Sequence, residues 1–124
     1  MKNVLVLVMD GERQAVELRW VREIFSLVAL TPVPTAPPAI AGVVNFKGTI
    51  VPVVHVRGGH ASRPGDTLVL LDVDGVRAAL AVDRIDAVTT LAEEGGTLRA
   101  GDGALVPLLD PVGLLAAAHR SVGL

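Results

Sequence analysis

The chain has 124 residues, 51% of them hydrophobic but only 2% aromatic, with a formal net charge of -2 and no cysteine. That length suits one domain able to remove roughly two-thirds of the unfolded chain's surface from water. The missing cysteine excludes disulfides and thiolate metal sites and suits a reducing cytoplasm, the weak negative charge argues against a polyanion partner, and no apolar run approaches the roughly 18 residues of a spanning helix.

The opening stretch MKNVLVLVMDG turns at Asp10-Gly11 and lacks the small-residue cleavage site of a secretion signal. Residues 3–9 and 14–18 therefore read as the two strands of a D-G hairpin. Residues 18–25 place Leu18, Val21, Ile24 and Phe25 at near-helical spacing, which fits a short helix or a bent strand. Pro32, Pro34, Pro37 and Pro38 forbid regular structure across 31–38 and make it a stiff loop. GVVNFKGTIVPVVHVR, 42–57, reads as a hairpin turning at Lys47-Gly48, and GGHASRPGD, 58–66, as a linker. A second D-G hairpin follows, 67–73 and 76–82 about Asp74-Gly75. Asp110-Pro111 then opens an Ala/Leu-rich helix running to about His119, with Asp110 as N-cap.

Shifted by 64 residues, the sequence matches itself: Val4 falls on Leu68, Gly11 on Gly75, Arg13 on Arg77 and Ile24 on Val88. Farther on the shift becomes 55, so that Gly48 meets Gly103, Pro52 meets Pro107 and His55 meets Asp110. The second copy is thus nine residues shorter and has no counterpart of the proline loop. The repeat implies an all-β fold with short helices: two small five-stranded β-barrels within a single domain, 1–124. Subdomain one spans about 1–57 and subdomain two about 67–109, each a meander of strands joined by short turns, and a terminal helix covers about 110–119. Barrels of this kind close to remove their edges. Gly11, Gly48, Gly75 and Gly103 are the turn glycines.

The chain resembles the CheW-like adaptor family of bacterial chemosensory systems. The resemblance rests on VREI at 21–24, TPVP…PPAIAGVVNFKG at 31–48, IVPVVHVR at 50–57 and AVDRI at 81–85, in family order over nearly the whole chain. It is similar also to the short, FrzB-type members. The resemblance implies a cytoplasmic, non-catalytic scaffold without cofactors, contacting a methyl-accepting receptor in the groove between barrels and a CheA-type histidine kinase or other CheW-like proteins at barrel ends. Carried over residue by residue, it places Val21, Glu23, Ile24, Val43, Asn45 and Lys47 on the receptor or partner surface. Three departures stand out: Lys47 for the usual arginine, which trades a five-donor fork for a point charge; His55 for the usual aspartate; and the shortening between Leu91 and Leu105. The last implies weakened or absent kinase binding, the alternative being a complete scaffold that bridges receptor and kinase.

Each of these residues also has a plainer reading. Glu23 and Lys47 can be solvated surface charges, and Asn45 and Gly48 suit a hairpin turn whatever the function. His55, His60 and His119 form no HxxxH or HExxH pattern and have no carboxylate cluster beside them, so neither a metal site nor a catalytic centre is expected. No phosphate-binding or nucleophile motif occurs. Trp20, Phe25 and Phe46 are too few to stack nucleic acid on an acidic chain. A small-ligand-binding barrel, which would show an apolar pocket, and an enzyme using His55 are the readings from other classes.

Overall fold

The structure is a computed structural model that describes residues 1–55 and 63–123. Most of the linker expected at 58–66, and His60 with it, lies outside the described residues. Among the described residues ten strands and one α-helix follow in chain order: β1 (Lys2–Met9), β2 (Glu12–Glu17), β3 (Val21–Ser26), β4 (Ile40–Phe46), β5 (Thr49–Val54), β6 (Thr67–Val73), β7 (Val76–Val82), β8 (Arg84–Glu94), β9 (Thr97–Arg99), β10 (Leu105–Pro107) and α1 (Pro111–Val122). The ambiguous segment at 18–25 splits into a 3-10 turn, Leu18–Trp20, followed by β3.

The sheets have the orders β10-β9-β8-β1-β2 and β3-β6-β7-β5-β4. They are not meanders, and they are built across the stretches 1–57 and 67–109 rather than within them. Each copy of the repeat lends its third strand to the other copy's hairpin, β3 to β6 and β8 to β1. The two pairings share one register: Val4 faces Thr89 as Leu68 faces Phe25, and Leu5 faces Val88 as Val69 faces Ile24. Even the bulge recurs, between Val6 and Leu7 in one ladder and between Val21 and Glu23 in the other. Turn chemistry alone suggests a meander. The exchange wins because it buries both faces of β1 and β6.

The side chains show how. Val4 and Val6 point into the first barrel with Ala15, Leu98 and Val106, whereas Leu5, Leu7 and Met9 point into a cluster between the barrels with Val69, Leu71 and Leu80. Leu68 and Leu70 fill the second barrel with Val51, Val53 and Ala79. A strand buried on both faces reads as a continuous aliphatic run, and each fully buried Leu contributes about 1.5–3 kcal/mol. Three cores thus absorb much of the chain's aliphatic content. Ile24, Val28, Ile50, Val88, Leu105 and Val112 remain among the exposed large apolar residues.

Each sheet is drawn toward closure by one isolated bridge. In the first it is the parallel pair Ala15–Leu108, and in the second the antiparallel pair Thr31–Val43. The former is the repeat-mate of the parallel β5–β7 pair, Val53–Ala79. The proline segment between β3 and β4 is irregular apart from that bridge, as expected, whereas β8 and β9 are joined through Gly95 and Gly96 alone.

Helix α1 packs on the inter-barrel core through Leu115 and Ala118, and His119 Nε2 meets the Arg77 carbonyl at 2.5 Å. It runs three residues beyond His119, to Val122, and stops at Gly123, whose left-handed φ of 73° suits glycine. Asp110 occupies the N-cap position as expected, but its side chain makes no cap hydrogen bond. Its repeat-mate His55 is buried at the end of β5, with its backbone N–H donating to the Ala39 carbonyl at 2.7 Å.

Candidate functional site

β3 and β4 stand at the two ends of the second sheet; Val21, Glu23 and Ile24 lie on β3, Val43 and Asn45 on β4, and Lys47 in the turn that follows β4. Where they approach, side chains bridge the seam. Lys47 Nζ lies 3.5 Å from Glu23 Oε2, with the two side chains 72% and 40% exposed. Beneath them the Phe25 and Phe46 rings pack at 4.8 Å between centroids, tilted by 41°, a contact worth about 0.5–1.5 kcal/mol beyond the area it buries. The Lys47 ammonium also sits 5.2 Å from the Phe46 centroid. An exposed ion pair of this kind stabilises by at most about 1 kcal/mol, so its fixed geometry owes more to the aromatic contact and the turn than to charge.

The turn sets that geometry. Lys47 and Gly48 have φ of 49° and 86°, the positive pair of a two-residue hairpin that follows the sheet's twist. Lysine in that conformation is strained, and the Asn45 side-chain oxygen accepts the Gly48 N–H at 2.8 Å, tying the turn together. Asn45 therefore spends its carbonyl oxygen within the hairpin. The D-G turns at Asp10-Gly11 and Asp74-Gly75 have the same positive pair of φ values.

Glu23, Asn45 and Lys47 thus gather at the mouth of the seam. Val21 and Ile24 do not join them: their strand partners are Leu71 and Val69, whose side chains belong to the inter-barrel core, whereas Glu23 pairs with Leu70 of the barrel interior. Val21 packs against that inter-barrel core, and Ile24 is 44% exposed. Val43 is half-buried and exchanges two backbone hydrogen bonds with Thr31, at 2.9 and 2.8 Å. Sequence reasoning missed the Phe25–Phe46 pair, although Phe25 two residues after Glu23 and Phe46 beside Lys47 were the available signal.

At the other sheet's β1–β2 end, Met1, Lys2, Asn3, Glu17, Leu18 and Arg19 line an open groove. Lys2 pairs with Glu17 at 2.7 Å, Arg19 pairs with Glu17 as well, and the Arg19 guanidinium lies 4.3 Å from the Trp20 ring centroid. The Lys2 ammonium, with Arg19 beside it, holds the Glu17 carboxyl below the usual carboxylate range. This groove is open and mixes charged side chains with Met1 and Leu18, unlike the enclosed apolar pocket of a ligand-binding barrel, and both barrel interiors are packed with aliphatic side chains. Among the described residues no group of three or more His, Asp or Glu side chains is placed to hold a metal ion.

Two interleaved five-stranded barrels, built from one repeated unit and carrying an exposed charged seam, define a small two-barrel β protein. The model of the CheW-like domain matches residues 3–95, and the chain belongs to that family. Its fold is similar to that of the scaffolding protein TtCheW from Thermoanaerobacter tengcongensis, at a TM-score of 0.73 and 20% sequence identity over 88% of each chain. Among curated proteins none matches the chain. The family match stops in the β8–β9 turn, so β9, β10 and α1 lie beyond it.

Proposed function

We propose that the protein is a non-catalytic chemosensory adaptor of the cytoplasm that binds the cytoplasmic tip of a methyl-accepting receptor. Membership of the CheW-like family over residues 3–95 carries the reading, and TtCheW, of the same fold, is itself a scaffolding protein. The receptor would meet Glu23 and Lys47 at the seam, Val43 on β4, and Val21 and Ile24 on the face of β3 that turns toward the inter-barrel core. Ile24 is exposed enough to be covered by a partner, and the Glu23–Lys47 pair can be opened at little cost. Among the described residues no helix is long and apolar enough to cross a membrane, consistent with a partner that carries the membrane anchor.

In this reading kinase binding is weakened or absent. Its support is the reduction of the second unit's β3–β4 counterpart to a Gly95-Gly96 turn with three-residue strands on β9 and β10. A standard interface buries about 800 Å² per partner, and lost central contacts cost most of its affinity. The complete scaffold that bridges receptor and kinase stands as a second reading, because the second unit keeps all five of its strands. Co-sedimentation with a receptor cytoplasmic fragment at tens of micromolar tests the adaptor role, and absence of co-assembly overturns it. Calorimetry against the isolated kinase regulatory domain separates the two readings: low-micromolar affinity selects the bridging scaffold.

A further inference from the structure

We draw no further inference here: the strongest candidate, the seam of the second barrel where β3 and β4 are joined by the Glu23–Lys47 and Phe25–Phe46 side-chain pairs in place of a continuous backbone ladder, belongs to the partner surface already described, and nothing in the structure shows what would cover it.

Discussion

Replacing Gly42 by alanine tests the closure of the second barrel. A methyl group on Gly42 would lie 2.4 Å from the Thr31 carbonyl oxygen and 3.0 Å from both the Thr31 carbonyl carbon and Leu30 Cγ, where ordinary contact begins near 3.4 Å. Something must therefore move by about 1 Å. The atoms in the way are chiefly backbone, and they belong to the Thr31–Val43 bridge, whose two hydrogen bonds measure 2.9 and 2.8 Å. Losing both costs about 1 kcal/mol each, and residual overpacking adds about 1–2 kcal/mol, for a total of about 3–4 kcal/mol. With a urea slope of about 2 kcal/mol per molar, the unfolding midpoint falls by about 1.5–2 M. Gly48→Ala is the control. Its methyl would meet nothing within 4 Å, so only the strain of a φ of 86° is added, about 1 kcal/mol. Equilibrium urea unfolding of both variants checks the argument, and a Gly42→Ala midpoint no lower than that of Gly48→Ala refutes it. Opening the bridge should also weaken receptor binding, since the bridge holds β4 and the Lys47 turn in place.

Charge reversal of Glu23 or Lys47 should change stability by less than about 1 kcal/mol, because the pair is exposed, yet weaken receptor co-sedimentation about tenfold or more, equivalent to about 1.4 kcal/mol. The double reversal restores binding only if the pair acts solely as a latch. Thr35, a β-branched residue held at φ 64° in the proline loop, should gain about 1 kcal/mol on replacement by glycine, read as a raised urea midpoint. Asp72 is held below the ordinary carboxylate range by its hydrogen bond from Arg77, with the Gly75 N–H adding to the effect. Because its folded-state value is depressed, its stabilisation is complete above the unfolded value and is lost as pH falls through the folded one. The urea midpoints of wild type and Asp72→Asn should therefore converge as pH drops below about 4. Fragments 1–57 and 63–124 should each lack a cooperative unfolding transition alone and regain one when mixed, because β1 needs β8 and β6 needs β3; a cooperative transition in either fragment alone would show the exchange to be dispensable.

Much of the fold was legible because the repeat is legible. The shifts of 64 and 55 that align Ala15 with Ala79 and Val53 with Leu108 also align the bridges those residues make. The hairpins about Asp10-Gly11, Lys47-Gly48 and Asp74-Gly75 were written in turn residues. The exchange of third strands was not legible, since short turns and local pairing predict meanders equally well, and the deciding contacts join residues more than 40 positions apart. The continuous runs of β1 and β6 were the available clue, as a half-exposed meander strand would alternate. Of the site, the motifs gave the positions, whereas the Glu23–Lys47 approach depends on the curl of the second sheet.

The two copies agree where the fold is made and differ where partners are expected to bind. Register, bulge and D-G turns recur in both, and the Ala15–Leu108 bridge of one has its mate in the parallel β5–β7 pair of the other. The repeat-mates of Glu23 and Lys47, however, are Ala87 and Asp102, so the first barrel cannot form the same seam pair. Its turn charge is inverted, and Asp102 reaches back to Arg13 of β2 at 2.9 Å, with the Ala104 N–H and Arg13 holding its carboxyl below the usual range. The same hairpin turn thus clamps a different strand in each barrel. In the first barrel it runs from the β9–β10 turn to β2, at the far end of the sheet. In the second barrel it runs from the β4–β5 turn to β3, also at the far end of the sheet, next to a proline loop that the second copy of the repeat lacks. A duplicated fold needs its two halves alike for the strand exchange to fit both. The seam and the proline loop are free of that requirement, and there the first copy carries exposed, paired charge, with exposed Ile24 on the other face of β3, which makes it the surface where a partner's specificity is best sought.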